Sequence, residues 1–227
     1  MKRRGLVFAA VLLASIASAP GLTSAEEGKT VIVPGDAEVG SDLRRLQRQA
    51  DAGDAAAAFR IGQIEERGIG RTSDPVKAKV AYRRAHELGH PQAAARLAQL
   101  YGSGALGNPD YTAARRWYGE AARRGDPVAA FNLALLQETG MGGEVALQEA
   151  IGHYELAVSA GVAEAALRLA ELYRSGRAGS LDRVRALAWY LVAERLGAEE
   201  AGVLAEVLAG TLAAEQRLQA RELAALL

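Results

Sequence analysis

The chain has 227 residues, half of them hydrophobic, with 27 basic and 27 acidic side chains and no cysteine. That length is enough to bury a core, while the balanced charge lacks the Lys and Arg surplus that releases counterions from nucleic acid, and the missing cysteine rules out disulfides, thiolate metal sites and a thiol nucleophile. Alanine supplies 49 residues and aromatics only 5%, a composition that favours closely packed helices over sheets, so the expected class is all-α.

Residues 1–25 read as a secretory signal peptide. Lys2, Arg3 and Arg4 precede an apolar run from Leu6 to Ala19, and Thr23 and Ala25 place small residues at a cleavage point after Ala25. The run is too short, and Pro20 too disruptive, for a membrane span of roughly 20 residues. The expected location is periplasmic or secreted, with no transmembrane segment after cleavage. Residues 26–41 lack helical periodicity and are expected to form a flexible arm, although Val31, Ile32 and Val33 could add to a partner's sheet edge. Residues 42–52 follow as a capping helix, with Ser41 or Asp42 as its N-cap.

From there a period of 36 residues takes over. Gly53, Gly89, Gly125, Gly161 and Gly197 are evenly spaced, and the pattern around them stays in phase. Four residues on stand Ala57, Ala93, Ala129, Ala165 and Ala201; fifteen on, Gly68, Gly104, Gly140 and Gly176; twenty-nine on, Tyr82, Tyr118, Tyr154 and Tyr190. The copies are 53–88, 89–124, 125–160 and 161–197. Each reads as two helices: helix A starts just after the phase Gly, as at Asp126-Pro127, and stops at the second Gly. Helix B is capped by Asp74, Asp110 or Asp182, whereas the third copy has Ala146 at that place. Ala93, Ala94, Leu97, Leu100 and Tyr101 share one stripe, which only stacked neighbouring copies can bury. The in-phase Trp117, Tyr118, Trp189 and Tyr190 read as core. Residues 198–227 should form C-terminal capping helices, the last over about Leu212 to Leu226.

The run Ala93 to Gly104, followed by Asp110, Ala113, Ala114, Trp117-Tyr118, Ala121-Ala122 and Gly125, resembles a Sel1-like repeat, a relative of the tetratricopeptide repeat. The likeness covers roughly residues 53–197. It is weaker in the first and third copies, where Glu65 and Gln137 replace Tyr101 and Tyr173, and where His153 stands for a Trp. The resemblance implies a right-handed α-solenoid that serves as an adaptor or scaffold for protein assemblies, with helix A on its concave surface. On that surface would lie Arg60 and Gln63; Gln92, Arg96 and Gln99; Val128, Asn132 and Leu135; Arg168 and Glu171. Arg60, Arg96, Asn132 and Arg168 would make a ladder of donors for carboxylates or the carbonyls of an extended peptide, around an apolar centre of Val128 and Leu135. The plainer alternative is an ordinary solvated face, with Arg168 paired to Glu164 and Glu171.

Catalytic candidates are few. His86, His90 and His153 form no HExxH-type pair, so no metal or other cofactor is expected. The glycine-rich loops at Gly68 and Gly140 follow helices and lack the Lys-Ser/Thr of a phosphate loop. Acid pairs such as Glu65-Glu66 point to different helix faces. The expectation is a non-enzymatic scaffold in a bacterial envelope that binds a protein or peptide and not nucleic acid. A periplasmic regulator of a membrane signalling protein is one alternative, and a binder or enzyme linked to peptidoglycan or polysaccharide is another.

Overall fold

The computed structural model describes residues 36–227, so the signal peptide, its cleavage point and residues 26–35 of the arm lie outside the described residues. Eleven helices and no strand occur among the described residues. The described residues divide into two compact units, 36–121 and 122–227.

In the first unit α1 (Asp36–Asp51) packs on α2 (Ala55–Arg67), α2 on α3 (Pro75–Glu87) and α3 on α4 (Ala93–Ser103); α5 (Tyr111–Arg123) runs to its end. Helix α1 starts earlier than the expected 42–52. Ala37 and Glu38 are strong helix formers, and Gly40 does not stop the helix. Asp42 is therefore no N-cap: it lies inside the helix and pairs with Arg45 at 3.0 Å. The core joins Ala57, Ala58, Phe59 and Ile61 of α2 to Ala78, Tyr82 and Ala85 of α3 and to Leu97 and Leu100 of α4, with Leu43 and Leu46 of α1 against it. Tyr82 is wholly buried and tilts against Phe59, with 5.2 Å between ring centroids. Burial of such a ring stabilises by about 2–3 kcal/mol.

The second unit repeats the plan. Helix α6 (Pro127–Thr139) packs on α7 (Leu147–Ser159), α7 on α8 (Ala163–Arg174) and α8 on α9 (Arg183–Arg195), while α10 (Ala201–Ala209) and α11 (Ala214–Leu226) both pack on α9. Tyr154, Tyr190, Phe131, Leu136, Leu169 and Leu172 are its largest fully buried side chains. Helix α11 begins two residues after the expected Leu212, which is buried in the preceding turn. The Arg195 guanidinium donates to the Ala224 carbonyl at 2.9 Å and ties α11 to α9.

The two-helix copy is set by local backbone chemistry. At the phase Gly the backbone turns left-handed, with φ between 87° and 98° at all five positions. The turn closes by Gly53 N–H to Ala50 O and Asp54 N–H to Gln49 O, and His90, Val162 and Ala198 repeat that second bond. These are the bonds that satisfy the last carbonyls of a helix. A Cβ at any of the five glycines would meet nothing within 4 Å, so the residue is chosen for its dihedral freedom and not for space. Starts are capped as expected: Asp54 and Asp126 accept from α2 and α6, and Asp74, Asp110 and Asp182 from α3, α5 and α9. Ala146 makes no such bond.

Candidate functional site

Helices α2 and α4 carry the expected donor face of the first unit. Arg60 is exposed, Gln63 half-buried, Gln92 exposed, and Arg96 and Gln99 half-buried. Arg96 Nη1 donates to Gln99 Oε1 at 3.1 Å, which fixes the guanidinium one turn from its own backbone while leaving further N–H groups over. Among the described residues no salt bridge involves Arg60 or Arg96, and the two cations stand at the same register of an A helix. On the opposite face of α2 Glu65 points inward and is buried.

The second unit is different, and this corrects the expected ladder. Helix α6 is buried without a break from Ala129 to Glu138, so Asn132 is only 4% exposed and Leu135 only 7%. Neither presents a solvated surface, and Val128 is half-buried. Arg168 and Glu171 on α8 are half-buried. Glu171 is already occupied: it accepts from Arg174, the closest contact being 2.6 Å, and from the Tyr190 hydroxyl. The hydrogen bond from Arg174 holds the Glu171 carboxyl below its usual range, and burial pushes the Tyr190 phenol up to about 12. Arg174, not Arg168, therefore provides the local ion pair.

A polar network that the sequence reading did not single out links the two helices of a copy. Tyr82 donates to Glu66 at 2.5 Å and Tyr154 to Glu138 at 2.7 Å, the same sixteen-residue spacing in the first and third copies. Burial pushes both phenols well above their ordinary range. Glu138 also receives Arg177 at 2.6 Å, so the loop after α8 is held to α6. The signal available was the recurring Tyr itself, since a buried hydroxyl requires a partner.

The histidines are absorbed by structure. His90 stacks on Phe59 with 3.9 Å between ring centroids, its Nδ1 accepts from Gln92 N–H at 3.3 Å, and burial lowers its pKa. His153 Nδ1 lies 2.9 Å from Gln137 Oε1 and 2.8 Å from the Glu149 carbonyl oxygen. A carbonyl can only accept, so that nitrogen carries the proton. Among the described residues no group of three or more His, Asp or Glu could hold a metal ion.

The Sel1 repeat model matches residues 55–90, 91–126, 127–162 and 163–197, together more than half of the chain. The chain belongs to the Sel1 repeat family. Its all-α fold is of the α-solenoid class, and Sel1 repeats are in general protein–protein interaction modules. A Sel1 repeat protein from Oxalobacter formigenes is similar at 25% identity with a TM-score of 0.64, over 83% of this chain and 80% of that one. A protective antigen, c5321, present in uropathogenic Escherichia coli strains and displaying an SLR fold, is 26% identical with a TM-score of 0.51, over 80% of this chain and 47% of that longer one. No curated protein matches. The four Sel1 matches begin two residues after the phase Gly counted from sequence, a shift of origin and not of period. Among the described residues no helix is long and apolar enough to cross a membrane.

Proposed function

We propose that this Sel1 repeat protein is a non-catalytic scaffold or adaptor of the bacterial cell envelope, which holds a partner protein or peptide on the A-helix face of its first two copies. The observation that carries this reading is the pair Arg60 and Arg96. Two guanidinium groups stand at the same register of α2 and α4, with no salt bridge among the described residues, and Gln63 and Gln99 lie one turn further along. Guanidinium and amide donors at that spacing suit the carboxylates and carbonyls of an extended segment. The burial of Asn132 and Leu135 speaks against α6 as part of the face, which we draw on α2 and α4 with Gln92 at its rim. The basic start, apolar run and small-residue ending of residues 1–25 support export.

In-cell cross-linking of the protein and of the Arg60→Glu/Arg96→Glu double variant tests the reading. Loss of a defined captured protein, with helicity unchanged by circular dichroism, is the expected result. Capture that survives both reversals would overturn the assignment of this face.

A further inference from the structure

Two positions differ in size and polarity from copy to copy. Twelve residues after the phase Gly stand Glu65, Tyr101, Gln137 and Tyr173; twenty-eight after it stand Ala81, Trp117, His153 and Trp189. In the second copy Trp117 meets His86 of the preceding B helix edge to face, at 5.1 Å between centroids. In the third, the His153 ring N–H donates to Gln137 Oε1, so position twenty-eight gives its proton to position twelve. In the fourth, Trp189 is buried and Arg185 lies over the Tyr173 ring at 5.5 Å.

The first copy lacks these groups. It has Ala81 where an indole or imidazole stands elsewhere, and the helix before it offers Ala50 at the place from which His86 faces Trp117. A groove of about 510 Å³ opens as a result between α1 and α3, floored by Ala58, Ile61 and Glu65 of α2. Val76 and Val80, on its α3 wall, are 58% and 63% exposed. Glu65 is only 4% exposed. Its Oε1 pairs with Arg71 at 3.2 Å, but its Oε2 is buried with no hydrogen-bond partner. Gln137, at the same register, receives a ring N–H there. Buried acceptors in folded proteins are overwhelmingly satisfied.

We propose that this groove docks a tryptophan side chain of a partner protein, whose indole occupies the space above Ala81 and donates its N–H to Glu65 Oε2. The second and fourth copies carry that same residue type at that same position. The two tryptophans of this chain, Trp117 and Trp189, belong to those later copies, and residues 26–35 contain none, so the indole comes from another molecule. The groove floor lies on the face of α2 opposite Arg60 and Gln63, which makes the two surfaces independent.

The test is a titration of the protein with N-acetyl-tryptophanamide, followed by ¹⁵N–¹H NMR, beside N-acetyl-3-(3-benzothienyl)alaninamide, in which sulfur replaces the N–H at nearly the same ring shape. The expected result is saturable shifts at Ala50, Ile61, Glu65 and Ala81, with the benzothienyl probe binding about tenfold more weakly, as loss of a hydrogen bond to a carboxylate requires. The Ala81→Trp variant should abolish the shifts and raise the melting temperature by supplying the missing ring. No saturable shift, or shifts scattered over the surface, would overturn the groove; equal affinity for the two probes would overturn the role of Glu65. The probe comparison uses the unaltered protein, so it decides the matter even if Ala81→Trp folds poorly. The Arg60→Glu/Arg96→Glu variant should bind both probes as the parent does, which separates this proposal from that for the opposite face.

Discussion

Gly62 sits in the middle of α2 where the other three A helices carry Ala98, Ala134 and Ala170. Helix propensity alone favours alanine there by about 1 kcal/mol. Packing opposes it, since a Cβ at Gly62 would overlap the Tyr82 ring. That ring cannot swing away: Phe59 lies against it and its hydroxyl is bound to Glu66. Overpacking of this kind costs about 1–3 kcal/mol and outweighs the propensity gain. Gly62→Ala is thus expected to lower stability by about 1 kcal/mol, read from the urea midpoint, while Ala98→Gly in α4 loses a similar amount for the opposite reason. The same change in residue size has opposite worth at two equivalent positions because the surroundings of one ring differ.

At the scale of the helix, the B elements differ chiefly at their starts. Ala146 has φ −132° and ψ 73°, close to the −133° and 88° of Asp74 and the −132° and 93° of Asp182. The backbone of the third copy is therefore already shaped for a cap it does not carry. Ala146→Asp should raise stability by about 1 kcal/mol, seen as a higher melting temperature; no gain would mean that the loop from Gly140 prevents the carboxylate from reaching the helix N–H groups. Caps, glycine stops and the repeat period could be read in the sequence because each depends on a few adjacent residues. The burial of Asn132 and Leu135 could not, because spacing tells which residues share a side of α6 and not what lies over that side. Nor could the groove beside Ala81: it arises where Ala50 and Ala81 are both small above Glu65, three residues drawn from three helices. The Tyr–Glu bonds lay between these extremes, visible as a recurrent phenol and acid whose pairing needed the hairpin to be folded.

For the molecule as a whole, stability in stacked repeats is close to a sum over copies and their neighbours. Within the unit 36–121, Gly62→Ala should accelerate amide hydrogen exchange most in α2 and α3, next in α1 and α4 that pack on them, and least in α5. Uniform acceleration through the unit would instead indicate all-or-none opening, and mass spectrometry of exchanged peptides distinguishes the two. The joint between copies has a further consequence. Each phase Gly adopts nearly the same left-handed φ, with empty space where a side chain would stand. Excision or duplication of 36 residues, begun at any point of one copy and ended at the same point of the next, rejoins like to like; an insertion of one residue inside a helix instead rotates everything beyond it by about 100°. The gene for such a chain can therefore gain or lose length in whole copies far more safely than in single codons.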